Sequence, residues 1–113
     1  MASMKELTVL EQLILASIFS LEDDAYGVAI RKNVKALTGK NLMYGTLYNA
    51  LDQLRKKDLI RKAKREDSEE GRGKHGRVFY TISPRGKKAL RSAYSLQKSI
   101  WDSIPELLKE TKS

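Results

Sequence analysis

Asn41 to Ile60, NLMYGTLYNALDQLRKKDLI, joins an apolar stripe, a polar face and a basic exit. Leu47, Leu51 and Leu54 recur at helical spacing, so they share one face and turn toward a core. The same winding leaves Tyr44, Thr46, Asn49, Asp52, Gln53 and Lys56 on the other side, free to touch something else. A helix fixed by one face and open on the other is built to read a partner.

The residues that follow suggest what the partner is. Arg55, Lys56, Lys57, Arg61, Lys62, Lys64 and Arg65 crowd one short window, a density that attracts a polyanion. Beyond them runs EDSEEGRGKHGR, Glu66 to Arg77, in which Gly71, Gly73 and Gly76 break any regular pattern and Arg72, Lys74, His75 and Arg77 add charge. Val78-Phe79-Tyr80-Thr81-Ile82 is rich in aromatic and β-branched residues, so Leu59 to Arg65 and Arg77 to Ser83 are predicted to pair as a hairpin around a glycine-bearing tip.

Upstream, Thr8 and Glu11 form a T-x-x-E capping box that opens a first helix. Its Val9, Leu10, Leu13, Ile14, Ala16, Ile18 and Phe19 cover more than one face, which implies two packing surfaces. An acidic connector, Leu21 to Asp24, leads to a second helix through Tyr26, Gly27, Val28, Ile30, Val34 and Leu37. That helix ends near Thr38-Gly39, where glycine suits a left-handed cap. Lys40 to Met43 turn the chain into the third helix, and helix, helix, basic hairpin is the order of a winged helix-turn-helix.

After the hairpin, Ser83 is placed to cap a helix with Pro84 in its first turn. Ala89, Leu90, Ala93, Tyr94, Gln97, Ile100, Trp101, Ile104 and Leu108 follow close to a three-four spacing, an apolar face that needs a partner. Pro105 breaks the helix, with Ser103 expected to cap a short terminal one.

Composition narrows the function classes. A chain of 113 residues makes one compact unit, and a net charge of +8 favours nucleic acid or another anionic surface. Without cysteine there is no disulfide, thiolate nucleophile or zinc-thiolate site. The sole histidine, His75, lies in the hairpin tip, and no glycine-rich phosphate loop follows a strand, so neither an enzyme nor a cofactor is expected. Met1 to Phe19 lacks a basic leader and a cleavage site, and Glu11 and Gln12 interrupt its apolar run. The expectation is therefore a cytoplasmic protein with no membrane partner.

Taken together, these motifs resemble the PadR family of bacterial transcriptional regulators, specifically its short members with one carboxy-terminal helix. The likeness runs from about Leu7 to Leu108: Ala25-Tyr26-Gly27, then Gly45-Thr46-Leu47-Tyr48-x-x-Leu51-x-x-Leu54, Leu59-Ile60, Gly71-Arg72-Gly73-Lys74, and Phe79-Tyr80-Thr81-Ile82-Ser83 with Pro84 and Gly86. Two positions depart from the family's pattern. Met43 stands where a serine or asparagine cap is common, so Asn41 is the expected substitute, and Asp58 stands where glycine usually follows the recognition helix.

The resemblance implies a mainly α fold with a β-hairpin wing (α+β): a winged helix-turn-helix over residues 5–83, and a C-terminal dimerisation helix, 84–108, packed on the same domain. It also implies a homodimer that binds double-stranded DNA at an inverted repeat, as a repressor responding to a small aromatic or hydrophobic effector. Tyr44, Gly45, Thr46, Tyr48 and Asn49 are then the DNA-reading set, with Lys62, Lys64, Arg72, Lys74 and Arg77 of the wing. The plainer readings are a solvated helix face, with Tyr48 partly core, and a charged hairpin whose Glu66, Asp67, Glu69 and Glu70 offset its cations.

Leu10, Ile14, Tyr94, Gln97, Ile100, Trp101 and Ile104 form the expected dimer interface, where Trp101 either fills the dimer core or lines an effector pocket. Two other classes fit the charge: a winged-helix docking adaptor without sequence-specific DNA binding, and an RNA binder. The second lacks the exposed aromatic platform of single-strand readers.

Overall fold

A computed structural model describes residues 6–65 and 77–110. The chain runs α1 (Val9–Leu21), a 3-10 turn (Glu22–Asp24), α2 (Gly27–Thr38), α3 (Tyr44–Lys56), β1 (Ile60–Arg65), β2 (Arg77–Ile82), α4 (Pro84–Asp102) and α5 (Pro105–Lys109). Most of it is helix, and the two strands pair antiparallel with Ile60 opposite Ile82 and Arg65 opposite Arg77. Each strand is one residue shorter at the base of the hairpin than its apolar pattern suggests, because the Leu59 amide donates back to the Leu54 carbonyl and the Ser83 carbonyl accepts from the Lys87 amide of α4, which leaves that pair only one of its two ladder bonds.

The helix ends follow their local chemistry. At α1 the Thr8 hydroxyl accepts from the Glu11 amide at 3.0 Å while the Thr8 amide donates to Glu11 Oε1 at 2.9 Å, the reciprocal box the sequence predicts. Gly39 closes α2 at φ 81°, in the left-handed region. Ser83 caps α4 by accepting from the Gly86 amide, and Pro84 fills the first position.

Two caps correct the sequence reading. Asn41 does not cap α3: the cap residue is Met43, whose side chain makes no such bond. Ser103 does not open α5 either. It closes α4 and donates its hydroxyl to the Ile100 carbonyl, leaving Ile104 at the start of α5. The reason is Pro105, which disfavours helical backbone in the residue before it, so the break falls at Ile104.

The core gathers Ile14, Leu15 and Ile18 of α1, Ile30 and Val34 of α2, Leu47, Leu51 and Leu54 of α3, and Tyr80 of β2. Burial pushes the Tyr80 hydroxyl above its ordinary pKa. Ser17 is wholly buried among these apolar groups, satisfied by accepting from Asn33 Nδ2 at 2.8 Å and donating to the Leu13 carbonyl. Ile14 therefore cannot belong to a dimer interface. It is fully enclosed within its own protomer and has no surface left to offer a partner.

Between α3 and β1 the backbone turns sharply. Asp58 takes φ 63°, an unusual conformation for a residue with a side chain, and its carbonyl accepts from the Ser83 hydroxyl at 2.8 Å. The Leu59 carbonyl accepts from the Ser83 amide, and Gly86 packs so closely against that carbonyl that a methyl there would also stand 2.8 Å from Ile82 Cγ1. This joint fixes the end of α3, the base of the wing and the start of α4 together.

Candidate nucleic-acid interface

No side chain caps α3, but the turn that leads into it is held from α2. Arg31 Nε donates to the Leu42 carbonyl, and the Arg31 guanidinium carbon lies 4.4 Å from the centre of the Tyr44 ring. Tyr44 in turn stacks on Tyr48, with ring centres 6.2 Å apart and planes 19° apart. The Tyr48 ring ends against Gly27 at the start of α2, where an added methyl would stand 2.8 Å from Tyr48 Cζ. Arg31, Tyr44, Tyr48 and Gly27 thus make a chain of contacts that sets where α3 begins. Sequence reasoning missed Arg31, since a single arginine on a helix gives no sign of what it covers.

The outward face of α3 carries the residues expected there. Tyr44 and Tyr48 are exposed at 43% and 46% despite their mutual stack, and Gly45, Thr46, Asn49 and Gln53 are also exposed. A methyl at Gly45 would meet nothing within 4 Å, so no internal contact requires glycine there. Further along, Arg55 and Lys56 both pair with Asp52, at 3.0 and 3.4 Å, and hold its carboxyl below its ordinary pKa. Those two cations are thus partly engaged within the helix.

The wing residues separate onto two faces. Lys62 and Lys64 lie opposite Tyr80 and Val78, whereas Arg65 and Arg77 lie opposite each other and share a face with Phe79. Two like charges facing across a ladder repel. Here each guanidinium is drawn onto a ring: Arg65 sits 3.6 Å from the centre of Phe79 and Arg77 4.5 Å from that of Tyr26. Arg65 also donates to the Asp23 carbonyl, Tyr26 and Phe79 meet edge to face, and the Tyr80 amide donates to the Ala25 carbonyl. The wing is therefore stitched to the connector between α1 and α2. Arg77 is not gathered with Lys62 and Lys64, and Arg72 and Lys74 lie outside the described residues.

On α4, Tyr94, Gln97, Ile100 and Trp101 are exposed, Tyr94 at 65%, while Ile104 at the start of α5 and Leu10 on α1 are half-buried. Gln97 donates to Gln12 Oε1 on α1 at 2.7 Å, tying the helix to its own protomer. A cavity of about 280 Å3 opens nearby, lined by Phe19, Ile82, Lys87, Leu90, Arg91 and Tyr94. Of the residues expected around an effector, Tyr94 alone reaches it, and Trp101 does not. Among the described residues no helix is long and apolar enough to cross a membrane, and no three His, Asp or Glu side chains gather where a metal ion could be held.

Comparison with known proteins agrees with this architecture. A PadR family transcription regulator from hypervirulent Clostridium difficile R20291 is similar, with a TM-score of 0.67 and 27% identity over 91% of this chain and 97% of that one. The PadR-like transcriptional regulator from Bacillus cereus strain ATCC 14579 gives 0.71 and 25%, over 88% and 91% of the two chains. A transcriptional regulator from Clostridium thermocellum gives 0.67 and 25%, over 86% and 90%. No curated protein matches the sequence. The family model for the transcriptional regulator PadR-like family matches residues 14–92, well over half of the chain. With its helix-turn-helix, its wing and that match, the chain belongs to the PadR-like family of transcriptional regulators.

Proposed function

We propose that the protein is a homodimeric, ligand-responsive repressor that binds an inverted-repeat DNA operator. The observation that carries this reading is the start of α3: Tyr44, Gly45, Thr46, Tyr48 and Asn49 face outward from a helix whose position is fixed by Arg31 and Gly27 behind it. Asn49 suits a paired contact to adenine and Thr46 a thymine methyl, each good base contact contributing roughly 1–3 kcal/mol of discrimination. Gly45 admits a phosphate close to the backbone. Lys62 and Lys64 meet flanking phosphates, as do Arg72 and Lys74 at the tip, while Arg77 must leave the Tyr26 ring to do so.

Residues 5–83 form the DNA-binding unit and 84–108 the dimerisation helix on it. Tyr94, Ile100 and Trp101 leave an apolar face of α4 exposed, and a second copy related by a two-fold axis covers it. Two recognition helices then meet half-sites about 10 base pairs apart. Occupancy excludes polymerase, and a ligand that favours the wrong helix separation relieves repression.

Selection on random duplex DNA, with the wild type and Asn49→Ala, tests this. The expected result is an enriched inverted repeat, relaxed at one position by Asn49→Ala, with affinity falling steeply with salt. Absence of enrichment refutes the operator reading and leaves the docking adaptor.

A further inference from the structure

The cavity beside α4 is apolar inside and cationic at its mouth. Its wall is almost wholly carbon, so Lys87 and Arg91 contribute their stems and keep their charges at the rim. Lys87 Nζ lies 5.9 Å from the centre of the Phe19 ring, at the edge of that wall. Among the described residues, no carboxylate lines the cavity.

Apart from the Phe19 ring beside Lys87, no contact among the described residues offsets these cations. Lys87 and Arg91 stand one helical turn apart, a spacing at which like charges repel. With Arg85 and Lys88 they load the first two turns of α4, whose first turn has no acidic residue, and a helix start disfavours positive charge. Among the described residues, none of the four takes part in an ion pair; the pairs there join Arg55, Lys56, Lys57 and Lys98 to other partners. An anion bound at the mouth relieves both the mutual repulsion and the conflict with the helix.

We propose that this cavity binds a medium-chain aliphatic carboxylate, its tail between Phe19, Ile82, Leu90 and Tyr94 and its head between Lys87 and Arg91. Among the described residues that line it, only the Tyr94 phenol is a neutral hydrogen-bonding group, so a ligand bearing several hydroxyls or amides would bury them without partners. A plain hydrocarbon tail suffers no such cost. The volume lies just below the roughly 300–1,000 Å3 of typical small-molecule sites, which suits a single short chain.

The inference deepens the ligand-responsive reading and rests on it for the effect on DNA, though not for the binding itself. Phe19 comes from α1, Ile82 from the end of β2 and the rest from α4, so a tail wedged among them moves α4 against the DNA-binding body. Tyr94 belongs both to this wall and to the exposed face assigned to the second copy.

Calorimetric titration of the full chain with butyrate, hexanoate, octanoate and decanoate, each below its micelle concentration, tests the site, with decylamine as the charge-inverted probe. Expected is one carboxylate per chain, affinity rising roughly fourfold for each methylene buried, and no comparable binding of decylamine. The double variant Lys87→Gln/Arg91→Gln, which alters only exposed positions, should weaken decanoate about fivefold or more. Phe19→Ser should flatten the dependence on chain length.

Affinity independent of chain length, equal binding of decylamine, no saturation below the micelle concentration, or no heat at two well-separated temperatures each overturns the site, whether or not the protein selects an operator. Lack of operator selection would instead overturn the regulator and leave the titration standing. A bound carboxylate that leaves operator affinity unchanged overturns the regulatory half.

Discussion

Gly27→Ala should separate DNA binding from folding. The added methyl would stand 2.8 Å from Tyr48 Cζ, and closer still to its hydroxyl, so the tyrosine ring must swing away from α2. What has to move is the end of a side chain that is 46% exposed, and so the folding cost falls near the lower end of the roughly 1–3 kcal/mol typical of overpacking. Replacing glycine in a helix returns up to about 1 kcal/mol through propensity, less at this first position. The two terms nearly cancel, and the melting temperature should shift by no more than roughly 5 °C.

DNA binding has no such compensation. Tyr48 stacks on Tyr44, and Tyr44 carries Arg31, so displacing one ring disturbs the whole start of α3. Loss or misplacement of one good base contact costs roughly 1–3 kcal/mol, about 5- to 150-fold in Kd. Thermal denaturation and fluorescence anisotropy on the selected operator, at one fixed salt concentration, measure both quantities. Unchanged operator affinity would refute the reasoning, and so would a loss of binding that merely follows a large loss of stability.

Other positions give different signatures. Gly86→Ala should cost about 1–3 kcal/mol of stability, because its methyl meets Ile82 Cγ1 at 2.8 Å and the Leu59 carbonyl carbon at 3.1 Å, and backbone cannot give way; a chemical denaturation curve reads this directly. Arg31→Lys keeps the charge and loses the planar group over Tyr44, so operator affinity should fall about fivefold to tenfold while the slope against salt stays the same. A slope reduced by about one would instead make Arg31 a phosphate contact. Partial burial alone would raise the Glu11 carboxyl, but bonds from Lys57 Nζ at 2.7 Å and from the Thr8 amide outweigh it and hold the pKa below its usual value. A depressed folded-state pKa contributes stability that is present above the ordinary carboxylate range and is lost as pH falls through the folded value. Denaturation midpoints of the wild type should therefore decline more steeply below about pH 4.5 than those of Glu11→Gln.

The parts of the fold that were legible in the sequence are those set by local rules. Leu47, Leu51 and Leu54 declare a buried face through spacing alone, and Thr8 with Glu11 or Ser83 with Pro84 carry their capping chemistry within three residues. What stayed hidden depends on distant neighbours. Periodicity marks Ile14 as apolar without saying that the assembled core encloses it completely. Phe79, Tyr26, Arg65 and Arg77 lie far apart in sequence, so nothing local shows that two arginines opposite each other will settle on two rings. The outward residues of α3 could be named from winding, whereas the arginine that fixes their position could not.

That dependence on outside groups holds at both ends of the recognition helix. Its start is held by Arg31 and Gly27 of α2, and its end by Asp58, whose left-handed backbone is secured by the Ser83 hydroxyl. Ser83 is also the cap of α4, and it follows Ile82, a wall of the cavity. Ser83 and Asp58 therefore give a shift of α4 against the body one direct route to the end of α3. Because Gly86 lies tightly on the Leu59 carbonyl, the start of α4 cannot pivot without moving that joint. On the proposed reading, a wedge near Leu90 would act about one turn beyond that joint, where a small displacement of the helix would turn the outward face of α3.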